Sequence, residues 1–148
     1  MKSTAEKLEL VSVTKRYGSI VAVNAINYTF KPGSYTCLLG PSGCGKSSTL
    51  RMIAGHESVS GGSIHLAGRD ISTLAPAKRG TAMMFQNYAL FPHLSVADNV
   101  AFSLKMKGVD ASARGKQANE MLELVDLTSL SDRMPDQLSG GQQQRVAL

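Results

Sequence analysis

The spacing of hydrophobic and polar positions changes once along the chain. In the first part, β-branched and polar residues partly alternate in LELVSVTKRYG and VAVNAINYTF, which predicts two strands broken at Gly18 and Ser19. The runs YTCLLG and TAMMFQ are short and apolar, as is typical of strands buried in a parallel sheet. Later, apolar residues recur every three or four positions, which predicts helices. The pattern therefore predicts a mixed α/β part over residues 1–86 and a helical part over 87–148.

Helix boundaries are marked by glycine and by capping residues. In GKSSTLRMIAG we expect Leu50, Ile53 and Ala54 on the inward face and Gly55 at the end of the helix. Two pairs have the capping-box spacing, in which a serine and the third helical residue bond each other's backbone N–H groups. The pairs are Ser95 with Asp98 and Ser139 with Gln142.

Composition and charge exclude several classes of protein. The chain has 148 residues, of which 43% are hydrophobic and 18% charged, as expected for about one globular domain. No apolar run approaches the roughly 18 residues of a membrane span. The net charge of +5 is dispersed without interleaved aromatics, so no nucleic-acid partner is expected. Cys37 and Cys44 match no disulfide or metal spacing, which favours free thiols in a reducing compartment.

The strongest chemical motif is GPSGCGKS, from Gly40 to Ser47, which matches the phosphate-binding pattern G-x-x-x-x-G-K-[ST]. Glycines allow positive φ angles, so that successive N–H groups turn inward toward an anion. The helix that follows adds partial positive charge at its N-terminus. Lys46 is expected to reach the β- and γ-phosphates, and the Ser47 hydroxyl to bind Mg²⁺.

A second glycine-led helix start, LSGGQ, occupies residues 138–142. A phosphate loop followed by LSGGQ resembles the ATP-binding-cassette (ABC) family, whose signature motif this is. The resemblance covers nearly the whole chain, and FQNYALFPHLSVADNVAFSLKMKGV looks especially like the ATPase subunits of bacterial importers of polyamines, ferric iron, sugars or sulfate. Met134, where many relatives carry tyrosine, and Ser48, where threonine is common, are small departures.

The resemblance implies an α/β fold: a P-loop NTPase (RecA-like) core, an antiparallel β subdomain and a helical signature subdomain, all parts of one ATPase domain. It also implies the cofactors ATP and Mg²⁺. The catalytic residues would be Lys46 and Gln86, and the Mg²⁺ ligands Ser47 and Gln86. Tyr17 would stack on the adenine. The nucleotide-contacting residues would be Tyr17, Gly40, Pro41, Ser42, Gly43, Cys44, Gly45, Lys46, Ser47, Ser48, Ser139, Gly140, Gly141 and Gln142.

The resemblance further implies a partner arrangement. Two subunits would pair head to tail, so that each ATP lies between the phosphate loop of one copy and the signature of the other. Transmembrane permease subunits would dock near Gln86–Val100, with Tyr88, Leu90 and Phe91 as exposed apolar groups. The protein would then lie at the cytoplasmic face of the cell membrane, and ATP binding and hydrolysis would drive transport.

Two other functions stay open at this point. One is a soluble ABC ATPase of DNA repair or translation, although such relatives usually carry long insertions where this chain is compact. The other is a nucleotide-binding module without turnover. In the family, a Walker B strand with its carboxylates and a switch histidine would follow residue 148. We therefore expect an N-terminal fragment of a longer ATPase that is inactive and only marginally stable alone.

Overall fold

The structure, a computed structural model, describes residues 6–148. The chain forms two compact units, one ending at Met83 and the other running from Met84 to Leu148. The boundary predicted from the change in sequence pattern lies after Gln86.

The first unit is built on a four-stranded antiparallel sheet with the strand order β2-β1-β3-β4. A tight turn at Gly18 and Ser19 joins the first two strands, and Gly18 adopts a positive φ of 58° there. The two strands predicted on either side of that turn are confirmed. The strands are β1 (Leu8–Tyr17), β2 (Ile20–Phe30), β3 (Gly61–Leu66) and β4 (Arg69–Asp70).

A β-bulge in β1 changes which residues face the core. The pairing register with β2 shifts between Leu10 and Val13, and Ser12 has a positive φ of 49°. Leu10 and Val13 are consequently both buried although they are three positions apart, which simple alternation would not allow. The same core contains Val23, Met52, Ile64 and Ile71.

The helix α1 (Lys46–Ala54) packs its buried residues into this unit and ends at Gly55, as predicted. Gly55 is the C-cap with a φ of 85°, and its N–H bonds the Met52 carbonyl. The predicted inward face is partly wrong. Leu50 is 48% exposed, whereas Met52 is fully buried.

Two predicted strands are absent from the part of the chain that the structure describes. YTCLLG (Tyr35–Gly40) has no strand structure, and Tyr35 and Leu39 are 98% and 88% exposed. TAMMFQ (Thr81–Gln86) is also irregular, with Met84 41% exposed. A buried parallel strand requires neighbours that accept its hydrogen bonds, and every strand pair within residues 6–148 is antiparallel.

The second unit is helical. Its helices are α2 (Val96–Met106), α3 (Ala111–Leu124) and α4 (Gly140–Ala147), with short 3-10 turns between α3 and α4. Their shared core is the cluster Val96, Leu122, Leu127, Leu138 and Val146.

The predicted cap of α2 is confirmed in part. Ser95 Oγ accepts a hydrogen bond of 3.1 Å from the Asp98 N–H. The Asp98 carboxylate, however, accepts from the Ser95 hydroxyl at 3.0 Å rather than from the Ser95 backbone N–H. Among residues 6–148 we find no helix with the length and apolar character needed to cross a membrane.

Candidate functional site

The glycine-rich loop lies in the first unit, immediately before α1. Gly40, Gly43 and Gly45 have φ angles of 154°, 80° and 89°, in the region that favours glycine. Gly45 is also the N-cap of α1, and a Cβ atom there would lie 2.5 Å from the Ala22 carbonyl oxygen. The sequence at this position therefore meets both a conformational and a steric requirement of the loop.

The side chain of Lys46 folds back over the loop. Its Nζ donates hydrogen bonds of 2.7 Å to the carbonyl oxygens of Gly40 and Pro41, and lies 3.4 Å from Cys44 Sγ. These neutral carbonyls keep the ammonium inside the loop. A bound phosphate would offer charged oxygens to the same donor, which form stronger hydrogen bonds than neutral ones.

A polar cavity of about 310 Å³ opens where the loop meets α1. Within Lys46–Ala54 the first turn carries no acidic side chain, so the partial positive charge of the helix N-terminus is not neutralised by its own sequence. The arrangement favours an anion. The lining residues are Ala22, Ser42, Gly43, Gly45, Lys46, Ser47 and Ser48.

Cys44 lines a different, largely apolar cavity rather than the polar one. That cavity, also about 310 Å³, is lined by Leu10, Tyr28, Cys37 and Leu38 among others. Both cysteines are free and exposed, which confirms the expectation of free thiols. Any contact of Cys44 with a phosphate in the polar cavity would therefore come from its backbone.

Tyr17 is brought to the loop by β1. It lies at the last position of that strand, its ring is 44% exposed, and its hydroxyl is 3.5 Å from Ser48 Oγ. The structure thus places the predicted aromatic residue and the first turn of α1 side by side within one unit.

The signature segment lies in the second unit, where its predicted capping box is confirmed. Ser139 Oγ accepts from the Gln142 N–H at 3.4 Å, and Gln142 Oε1 accepts from the Ser139 N–H at 2.8 Å. Gly140 and Gly141 begin α4 and are exposed, and no acidic side chain lies in the first turn of Gly140–Ala147. A Cβ atom at either glycine would meet nothing within 4 Å.

Gln86 also belongs to the second unit and is exposed. Of the neighbouring apolar residues predicted to be exposed, Phe91 is 36% exposed and stacks on Phe102, with 4.2 Å between ring centroids. Leu90 instead packs against the helical core.

Three charged residues of the first unit were not singled out from the sequence. Arg79 and Lys15 are both 5% exposed, and Lys15 is paired with Glu57. The sequence shows that Lys15 shares a face of β1 with Val13 and Tyr17, but it gives no sign that the lysine is buried. Arg79 lies in the segment PAKRG, whose composition gives no sign of burial.

Residues 23–148 match the ABC transporter family. The chain is 48% identical to the Fe(3+) ions import ATP-binding protein FbpC of Pasteurella multocida, over 99% of this chain and 42% of that protein. It is 51% identical to the spermidine/putrescine import ATP-binding protein PotA of Frankia alni, over 95% of this chain and 31% of that protein.

A solved structure shares the fold. It is a dimeric ATP-binding cassette in a post-hydrolysis state, bound to ADP and phosphate. It superposes with a TM-score of 0.82 at 32% identity, over 95% of this chain and 66% of that chain. The α/β cassette fold predicted from the sequence is thereby confirmed.

The chain belongs to the ABC transporter family, as its motifs predicted. More narrowly, it is similar to the ATP-binding subunits of importers. It spans 42% and 31% of the length of the two curated relatives above.

Proposed function

We propose that the full-length protein is the ATP-binding and ATP-hydrolysing subunit of an ABC importer, peripheral to the cytoplasmic face of the membrane. The observation that carries the proposal is the polar cavity at the N-terminus of α1. There the positive-φ glycines, the Lys46 ammonium and an unneutralised helix end converge in a chain of this family. Each of these features favours a polyphosphate.

The residues of this cavity would have different roles in binding. Lys46 would exchange the carbonyls of Gly40 and Pro41 for phosphate oxygens, while loop N–H groups hold the same anion. Ser47 is exposed and lines the cavity beside Lys46, so its hydroxyl is a suitable oxygen ligand for Mg²⁺. The ion, when bound, would neutralise charge on the phosphates.

The signature would act on the nucleotide of a second copy. The capping box uses Ser139 Oγ and Gln142 Oε1 as acceptors, so the Ser139 hydroxyl and the Gln142 Nε2 group can still donate, together with the first backbone N–H groups of α4. Gly140 and Gly141 are exposed, and nothing in the chain lies within 4 Å of a Cβ added at either position. A phosphate of the nucleotide bound by the partner subunit would therefore have room to approach.

The membrane partner would be a permease, docked near Gln86–Val100. Support comes from the exposed Gln86 and the partly exposed Phe91, which lie in the segment that resembles importer ATPases. Cysteines introduced one at a time across this segment should cross-link to the permease in membranes. Failure at every position would count against this docking site.

A mixed-dimer experiment tests the proposal. Lys46→Ala and Gly141→Asp each damage both sites of a homodimer. If the sites are shared between copies, a dimer with one subunit of each kind retains one intact site. ATP hydrolysis by a tagged and purified mixed dimer of the full-length protein should then exceed that of either parent homodimer. No recovery would favour sites built within one copy, and unaltered turnover by Lys46→Ala homodimers would overturn the ATPase assignment.

A further inference from the structure

Lys15 is a buried cation in β1. Its Nζ donates to Glu57 Oε1 and to the Ser58 carbonyl oxygen, both at 2.8 Å, and lies 3.4 Å from Ser58 Oγ. Its side chain is only 7% exposed, against 24% for Glu57. Burying an ammonium costs free energy that a single ion pair does not reliably offset, so stability alone gives a weak reason for a lysine here.

The same ammonium also lies over an aromatic ring. Lys15 and Tyr17 are two positions apart in β1 and therefore share a face of the strand. Lys15 Nζ lies over the Tyr17 ring, 5.0 Å from its centroid, which is within the range of a cation–π interaction. The ring is held at its edge as well, since its hydroxyl is 3.5 Å from Ser48 Oγ.

Glu57 anchors the ammonium. The hydrogen bond from Lys15 holds the pKa of Glu57 below its ordinary value. The carboxylate is therefore a charged acceptor that holds Lys15 in place. Ring, ammonium and carboxylate form one unit that is attached to the loop after α1.

We propose that Lys15 is a positioning residue for the base of the nucleotide. Its ammonium, held by Glu57 and Ser58 against one face of Tyr17, fixes the ring so that the opposite face receives a flat purine base. This inference rests on the proposed nucleotide site. Lys15 would not touch the nucleotide itself. It would act through the Tyr17 ring, and therefore only on the contribution of the base to the binding affinity.

The test compares two ligands of the full-length protein, ATP and inorganic tripolyphosphate, by calorimetry. Lys15→Met should weaken ATP binding about five-fold, the size expected for one cation–π contact. Tripolyphosphate has no base, so its affinity should not change. In a Tyr17→Ala background the same substitution should have no further effect on ATP, because the ring through which Lys15 acts is gone.

Lys7 provides a matched control. It forms an ion pair with Glu9 at the same 2.8 Å, but that pair is exposed, with side chains 52% and 30% accessible. Lys7→Met should leave both affinities unchanged. Glu57→Gln is a second variant, at a partly exposed position, that removes the carboxylate holding Lys15. It should weaken the binding of ATP but not that of tripolyphosphate.

Distinct outcomes separate the possible failures. Equal weakening of ATP and tripolyphosphate by Lys15→Met, or an effect that persists in the Tyr17→Ala background, would show that Lys15 is only structural. If Lys15→Met does not fold, an unchanged ATP affinity in Glu57→Gln overturns the inference. A wild-type protein that binds neither ligand would overturn the proposed function itself.

Discussion

The guanidinium of Arg79 donates a hydrogen bond of 2.7 Å to the main-chain carbonyl of Met52. Met52 lies in the last turn of α1, where carbonyl groups lack partners within the helix. Arg79 also donates to the carbonyls of Ile53, Ser72 and Leu74. One buried cation thus caps the C-terminus of the helix whose N-terminus forms the phosphate cavity. Burial lowers the pKa of Arg79, although a guanidinium stays protonated, and the Asp70 charge acts in the opposite direction.

Arg79→Leu should destabilise the first unit strongly. Removing the guanidinium takes away the hydrogen bonds to the Ile53, Ser72 and Leu74 carbonyls, while Met52 keeps the Gly55 N–H, and the loss should cost about 3 kcal/mol of unfolding free energy. Arg79→Lys should recover only part of this loss, because an ammonium lacks the planar fork. Chemical denaturation measures both, with the exposed neighbour Lys78→Ala as the control. A loss no larger than that of Lys78→Ala would contradict the capping role.

Gly45→Ala should be more damaging than Gly43→Ala. Both residues have positive φ, which costs alanine roughly 1 kcal/mol. Only at Gly45 does the added Cβ also press against Ala22 and Val23, which adds about 1–3 kcal/mol of overpacking. Thermal unfolding without nucleotide should rank the two variants in this order. Equal shifts of the unfolding temperature in the two variants would mean that the contact of Gly45 with β2 does not constrain the loop.

The signature glycines should show opposite effects on stability and on function. Neither Gly140 nor Gly141 has a steric neighbour, so alanine at either should stabilise α4, by up to about 1 kcal/mol. Gly115→Ala in α3 should stabilise by a similar amount and serves as the control. If the start of α4 receives a phosphate of a partner's nucleotide, the signature variants alone should lose ATP hydrolysis. Full activity in a stabilised Gly141→Ala variant would argue against this contact.

Lys46→Ala should abolish phosphate binding while leaving the fold intact. The half-buried ammonium bonds only loop atoms, Gly40, Pro41 and Cys44, so its loss should change the unfolding temperature little. Binding of ATP and of tripolyphosphate should be reduced together, because the lysine acts on phosphate and not on the base. Calorimetry with both ligands distinguishes this variant from Lys15→Met. Retained affinity for tripolyphosphate would place the anion elsewhere.

Alkylation of Cys44 should block nucleotide binding in proportion to the size of the reagent. The thiol lies 3.4 Å from Lys46 Nζ on the side of the apolar cavity, so a bulky adduct crowds Lys46 from that side. Bound MgATP should slow the reaction. Because Cys37 is also exposed, labelling should be measured in a Cys37→Ser background. Equal labelling rates with and without MgATP would show that the Cys44 thiol is not affected by nucleotide binding.

Features that depend on residues close together in the chain were predictable from the sequence. The caps at Ser139 and Gly55 follow from residue types at fixed spacing, and the phosphate loop follows from glycines placed before a helix. The strand predicted at Tyr35–Gly40 could not be judged in this way. A buried strand depends on partners distant along the chain, and the sequence of the run itself does not specify them.

Packing contacts were less predictable than motifs. Leu50 and Met52 are both apolar, and only the position of the sheet decides that Met52 is the buried one. The contacts of Arg79 with α1 join residues 26 or 27 positions apart, so they cannot be predicted from a local pattern. The pairing of Lys15 with Tyr17 is visible in the sequence as an i, i+2 spacing, but the burial of the lysine is not.

The bulge at Ser12 determines where β1 can change in length. Before the bulge the core-facing positions have even numbers, such as Leu10, and after it they have odd numbers, such as Val13 and Lys15. Removing the one extra residue at Ser12 would restore regular alternation, which keeps Val13 and Lys15 on the face of Leu10. A one-residue deletion after the bulge, between Val13 and Lys15, would instead turn Lys15 and the later residues of the strand to the opposite face. Tyr17 would then leave the phosphate loop together with Lys15. Among natural variants of this protein, single-residue deletions should therefore be tolerated at the bulge and excluded from the segment between Val13 and Tyr17.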